Sequence, residues 1–364
     1  MTVGDRLAQL LAESGVKHVF GVPGGQTLPL YEGIRKSGGA ISHVLMRDER
    51  SAGFAADAYA RLTGKLGVCD ATVGPGATNL LSPLAEAHCS SIPMLAIISD
   101  ISRAWEHRRV RGNASQAIQQ LEMFKPVSKW QVTLAQPASL ENLLDQAIRV
   151  AVSGRPGPVV LAMPDDVGDL DIDWLRRVKP DATFPRHRGA IDPAQIQAAR
   201  QALLQANKPV LLAGGGVHSS EALSELAALA RKLGCPVVTT ITGKGVMADT
   251  DPQVFGVTGS MGSPKANEVV RQADLVFFIG CKAGQLATFG YDCPAYGVTT
   301  IHLDIDAEEI GRNFPDSIPL VGDARLGLAE LSSALEGDSF TYQWDLEELR
   351  AINQQWYDGI TLRP

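Results

Sequence analysis

Apolar residues along this chain follow two alternating periods. In "VGDRLAQLLAESG" (3–15), Val3, Leu7, Leu10 and Leu11 fall on one face of a helix that Gly15 stops. "KHVFGV" (17–22) then turns to the two-residue period of a strand. The exchange repeats, with strands predicted at "HVLM", "GVCDATV", "MLAIIS" and "PVVLAMP" and helices opening near Glu49, Ala77 and Leu140. Short β-branched runs between small-residue helices make a parallel sheet wrapped by helices. This first unit covers 1–165.

The stretch 166–192 mixes acids, bases and prolines without either period and is predicted to be a linker. Its "DLDID" makes no EF-hand, because the sixth and twelfth positions of such a loop, Gly and Glu, are Trp174 and Pro180 here. A second unit, 193–338, opens with a helix at Pro193. Its strands are expected at "KPVLLAGGGV", "PVVTT", "ADLVFFIG", "TTIHLDID" and "IPLVG", with helices near 219–233, 264–272 and 306–313. Residues 339–364 form a tail. The fold class is therefore α/β, with two doubly wound parallel-sheet domains.

Composition narrows the function. The 364 residues exceed one typical domain, and a net charge of -7 gives no footprint for nucleic acid. Neither a signal peptide nor a run of about 18 apolar residues is present, so the expected location is cytoplasmic, off the membrane. The five cysteines form no CxxC pair and read as buried reduced thiols, with no disulfide or zinc site.

Candidate chemistry sits at the strand ends, where open α/β sheets bind ligands. Gly24 and Gly25 of "GVPGG" would let backbone approach a flat ring, and Pro75 fixes the turn in "VGPGATN" between Gly74 and Gly76. Asn79 could cap the helix that follows. Asp48 can cap a helix beginning at Glu49 and ending at Gly64, which by itself would make Glu49 an ordinary first-turn acid near the helix dipole. Gly214, Gly215 and Gly216 complete neither G-x-G-x-x-G nor G-x-x-x-x-G-K-[ST], so they read as a tight turn or a nucleotide contact.

Taken together, "GVPGG", "RDE", "AYARLTGK", "VGPGATN", "SIP", "SQA", "KPVSK" and "SGRPGPV" stand in the order of the motifs of a pyrimidine-binding domain. "KPVLLAGGGV", "GKG", "AN" at 266–267, "HLDIDAEEIG" and "VGDA" resemble the Rossmann-like central domain that follows it. On these motifs the chain resembles the thiamine-diphosphate enzymes of the acetolactate synthase and 2-oxo acid decarboxylase group. The resemblance implies that Glu49 shares a proton with N1′ of the cofactor's aminopyrimidine, so that the 4′-nitrogen can take the thiazolium C2 proton. Burial among Ala52, Ala55 and Ala56 would help it keep that proton. It further implies that Gln116 is an active-site glutamine and that Pro23, Gly24, Gly25, Thr72, Pro75, Gly76 and Asn79 edge the pyrimidine. Arg155, Gly215 and Asp304 resemble dinucleotide contacts of the members that bind FAD.

Several departures bear on these expectations. Asp48 replaces the family's His, and Ser115 and Ala117 replace the Phe and Glu around Gln116, which leaves the substrate beyond a 2-oxo acid open. Lys282 replaces an arginine, and an ammonium is no equivalent of a planar guanidinium, which weighs against FAD. The G-D-G and N-N motifs that hold magnesium on the cofactor's diphosphate do not occur in this chain, so no metal ligand is assigned to it. The expectation is a chain that works with a diphosphate-binding domain, in cis beyond Pro364 or in trans, in a homodimer or homotetramer. The alternative is a non-catalytic regulatory or nucleotide-binding scaffold.

Overall fold

A computed structural model of the chain describes residues 1–172 and 181–359. Two compact units, Met1–His187 and Arg188–Pro364, are each built on one six-stranded, all-parallel sheet. In the first, β1 (His18–Gly21), β2 (Ser42–Leu45), β3 (Gly67–Ala71), β4 (Met94–Asp100), β5 (Trp130–Thr133) and β6 (Pro158–Pro164) lie in the order β2-β1-β3-β4-β6-β5. Every residue of β3, β4 and β6 is buried, as central parallel strands covered on both faces must be. Alternate residues feed two cores: Val68, Leu95, Ile97, Val159 and Leu161 join one, and Cys69, Ala96, Ile98, Val160 and Ala162 the other.

The second unit arranges β7 (Pro209–Ala213), β8 (Val237–Thr239), β9 (Val254–Val257), β10 (Leu275–Ile279), β11 (Thr299–Asp304) and β12 (Ile318–Val321) as β12-β11-β10-β7-β8-β9. In both sheets the winding reverses partway, between β1 and β3 in the first and between β7 and β10 in the second. The carboxyl ends of those strands flank each sheet's natural ligand crevice.

The periodicity located ten of these strands and missed β5 and β9. Both are four-residue edge strands: β5 is half-buried throughout, and β9 is buried only at Val254 and Phe255 before Gly256 at φ 99°, so neither has the longer apolar run that marks a central strand. The helix expected at 306–313 is a run of turns. There the Asp304 carboxylate accepts from the Asp306 amide at 3.0 Å and the Asp306 carboxylate from the Glu308 amide at 3.0 Å, and such local bonds compete with helix formation. Of the stretch expected as a linker, Val167, Ile172, Ala182 and Phe184 pack on the first unit's core and Ile191 belongs to the second's, while 173–180 lie outside the described residues. In the tail, the helix Leu346–Asp358 buries Leu349 and the Trp344 indole donates to the Pro209 carbonyl at 2.8 Å; 360–364 lie outside the described residues. Among the described residues, no helix is long and apolar enough to cross a membrane.

The helix Glu49–Thr63 begins and ends where its caps predict. The Asp48 carboxylate accepts from the Arg50 amide at 2.7 Å, and Gly64 closes it at φ 65°. Its buried residues are Ala52, Gly53, Ala56, Asp57 and Ala60, with Ala56 close on the sheet and Gly53 close on Pro83. At Gly67, the first residue of β3, a β-carbon would collide with the Ala56 carbonyl. Gly67→Ala should therefore push this helix off the sheet and lower the stability of the first unit by about 1–3 kcal/mol, read as a shift of its urea transition. An unshifted transition would show that the contact relaxes freely.

Candidate active site

Three chain segments meet at the carboxyl ends of β1 and β3. The first leaves β1 through Pro23 and Gly24 into a short turn, Gly25–Thr27, in which the Thr27 hydroxyl donates to the Gly24 carbonyl at 2.8 Å. The second leaves β3 through Thr72 and Gly74 into the helical turn Pro75–Asn79. The Thr72 hydroxyl donates to the Gln26 side-chain oxygen at 2.9 Å and stitches these two together. The third is the start of the Glu49–Thr63 helix.

Glu49 is half-buried, and its Oε2 accepts from the Asn79 side-chain amide at 2.9 Å. Its Oε1 makes no hydrogen bond among the described residues and faces Gly76, where a β-carbon would stand 3.2 Å away. Asn79 thus bonds Glu49 rather than capping the next helix. Contacts running from Gly24 to Thr72, Thr72 to Gly76, Gly76 to Glu49 and Glu49 to Asn79 bring these five predicted residues together, with Pro23, Gly25 and Pro75 exposed on the rim. Beside Glu49, the Arg50 guanidinium and amide hold the Asp48 carboxyl down to about 2.

Gln116 joins the same place through its backbone. It is exposed at φ 59°, and its carbonyl sits where a β-carbon of Gly74 would be. Arg111, in the same loop, is also left-handed at φ 53°, and such conformations cost a non-glycine residue about 1–3 kcal/mol unless the surroundings impose them. The surroundings do so here. Arg109, which is buried, donates to Asp100 at 2.9 Å, to the Ile118 carbonyl at 2.7 Å and to Glu106 at 2.8 Å. The buried Gln120 accepts from the Gly74 amide at 3.1 Å and donates to the Ser99 carbonyl at 2.7 Å. Pro75, Arg109, Val110, Arg111, Gln116, Ala117, Ile118 and Gln119 line a cleft of about 560 Å³.

The remaining predicted positions lie elsewhere. Arg155 is in the first unit just before the amino end of β6, at the end of the strands opposite the site, and its guanidinium donates to the Ser91 hydroxyl at 2.9 Å. Gly215 and Asp304 follow and end, respectively, the strands β7 and β11 of the second unit. At the switch point of that sheet, a β-carbon at Gly216 would lie 2.6 Å from the Gly280 α-carbon and one at Gly214 would collide with the Gly280 carbonyl. Close backbone packing therefore accounts for two of the three glycines there.

The family model described as the N-terminal TPP binding domain of thiamine pyrophosphate enzymes matches residues 1–123, and the central-domain model of the same enzymes matches 196–331. The chain belongs to the thiamine pyrophosphate enzymes. It is 37% identical over 352 residues to an acetolactate synthase of Arthrospira platensis, covering 93% of this chain and 58% of that protein. It is 36% identical over 338 residues to a probable acetolactate synthase large subunit of Methanocaldococcus jannaschii, covering 92% and 56%. It is 37% identical over 339 residues to an acetolactate synthase large subunit of Corynebacterium glutamicum, covering 91% and 52%. The chain thus spans a little over half the length of these relatives.

In this member of the family, sequence reasoning passed over the group beneath the Glu49 cluster. Asp70 of β3 is fully buried, accepts from the Tyr31 hydroxyl and lies 3.1 Å from the His43 ring nitrogen. The available signal was an acid in the middle of the otherwise apolar "GVCDATV", which a buried strand tolerates only with partners. Arg109, Arg111 and Gln120 were missed too, because a run such as "RRVRG" ordinarily marks a solvated face. Burial pushes the Asp70 carboxyl above the usual 3.8, against the pull of its His43 and Tyr31 hydrogen bonds. The folded state then holds a proton that the unfolded chain has released, so stability from this group is complete below pH 3.8 and is lost as pH rises through the raised value. Urea denaturation across a pH series should show the stability of the parent relative to Asp70→Asn falling as pH rises above about 4. A pH-independent difference would mean that the carboxyl titrates normally.

Proposed function

We propose that the chain supplies the pyrimidine-binding and central domains of a thiamine-diphosphate-dependent carboligase or decarboxylase that acts on a 2-oxo acid, in the manner of acetolactate synthase. The similarity to acetolactate synthases supports the reaction class. The observation that carries the reading is the half-buried Glu49 with one oxygen held by Asn79 and the other without a partner among the described residues, over the bare backbone of Gly76.

These residues fit an aminopyrimidine. When bound, thiamine diphosphate would supply a thiazolium C2 that, once its proton is removed, can add to the carbonyl of a 2-oxo acid. Glu49 Oε1 is the acceptor available to an N–H at the ring edge, and the Asn79 bond fixes the plane in which that oxygen is offered. Gly76 keeps that face free of side chain, and Gly25, whose β-carbon would touch nothing within 4 Å, leaves the rim open to a flat ring. The Thr72 bond to Gln26 holds the two loops at a constant separation. In this reading Glu49 keeps and returns one proton at N1′, Gln116 borders the substrate space, and the diphosphate with its magnesium belongs to a further domain, in cis or in trans, within a homodimer or homotetramer.

Two measurements test this. With the diphosphate-binding domain supplied, Glu49→Gln should slow hydrogen–deuterium exchange at the cofactor's C2, followed by NMR, by roughly 10² to 10⁴, the usual worth of a positioned acid or base. Exchange at the parental rate removes the role. Calorimetry on the 364-residue chain alone should find thiamine diphosphate binding no tighter than high micromolar, about 5 to 6 kcal/mol, from pyrimidine contacts only. Submicromolar affinity would place the diphosphate site within this chain.

A further inference from the structure

The cleft beside Pro75 and Gln116 contains two guanidinium groups in opposite circumstances. That of Arg109 is saturated by Asp100, Glu106 and the Ile118 carbonyl. That of Arg111 is exposed and has no hydrogen bond or ion pair among the described residues. No carboxylate lines the cleft, so nothing in its wall answers the second charge; apart from the arginines the walls are apolar or carry glutamine amides. The left-handed backbones of Arg111 and Gln116 turn both residues into this space. The anchors on either side, Arg109 and Gln120, together with the Ala114 amide donating to the Arg108 carbonyl at 2.8 Å, prevent the loop from relaxing. Imposed strain, an uncompensated planar donor and apolar walls together describe a prepared site for a carboxylate on an apolar body.

We propose that Arg111 binds the carboxylate of a branched or otherwise bulky apolar 2-oxo acid, whose substituent is received by the apolar walls of Pro75, Val110, Ala117 and Ile118. The proposal rests on the functional reading above for the words "2-oxo acid", because Pro75 and Gln116 belong to both places. The volume of about 560 Å³ leaves room for a substituent much larger than a methyl group.

The test uses the intact chain without cofactor and 4-methyl-2-oxopentanoate as the probe. Phenylglyoxal modification, followed by peptide mass spectrometry, should label Arg111 readily, and the probe should slow that labelling several-fold while leaving the exposed Arg149 unaffected. The neutral 4-methylpentan-2-one and inorganic phosphate at matched ionic strength should not protect. Calorimetry should show Arg111→Gln weakening probe binding roughly tenfold or more, the worth of a charge-assisted hydrogen bond, with Arg111→Lys restoring only part of it. Protection by phosphate equal to that by the oxo acid would make this a general anion site and overturn the proposal. So would protection by the ketone, or unchanged affinity in a Arg111→Gln chain that retains the parental circular dichroism. Since no turnover is measured, failure here leaves the Glu49 exchange test standing. A Glu49→Gln enzyme with normal C2 exchange would in turn remove the functional reading and leave carboxylate binding intact.

Discussion

The site depends first on how closely the helix Glu49–Thr63 can lie against β3. Gly67 has no side chain to meet the Ala56 carbonyl, and the buried residues of the helix, Asp57 apart, are the small Ala52, Gly53, Ala56 and Ala60. A larger residue at any of these points would lift the helix, and with it the one carboxylate oxygen that faces Gly76. The same close packing brings Asn79, at the end of its own short helical turn, within hydrogen-bond reach of Glu49. Dispersion and excluded volume therefore set the electrostatics of the site.

Around that contact the polar groups divide into those that anchor and those that are offered. Thr72 with Gln26, Arg109 with Asp100 and Glu106, Gln120 with Gly74 and Ser99, and Asp70 with Tyr31 and His43 are satisfied within the fold and hold the loops in place. Glu49 Oε1 and the Arg111 guanidinium have no such partners among the described residues. Pre-arranged neighbours around a few unsatisfied groups are what a binding site requires, because the ordering has already been done by folding.

The two sheets share a winding rule and use their crevices differently. At the β1/β3 reversal the loops stand apart and present backbone and side chains to a common space. At the β7/β10 reversal Gly214 and Gly216 of "AGGGV" pack on Gly280. A glycine cluster after a strand has at least these two physical causes, room for a ligand and room for another chain segment, and the letters alone do not separate them.

From the sequence alone came whatever depends on local periodicity and local capping. The central strands, the face of the first helix, the Asp48 start and the Gly64 stop of the Glu49 helix all follow from interactions within about a turn or a strand of each residue. Motif order likewise pointed to Glu49, Gly76 and Asn79 as members of one site. Edge strands β5 and β9 escaped because each is only four residues long and exposed in part, which leaves little apolar signal, and the helix read at 306–313 gave way to turns closed by Asp304 and Asp306. Tertiary structure alone decided which Glu49 oxygen is held and which is free, that Asp70 is buried with His43 and Tyr31, and that Arg109 is saturated while Arg111 is not. Each of these turns on partners brought from distant parts of the chain by the order β2-β1-β3-β4-β6-β5, and no local pattern encodes which strands become neighbours.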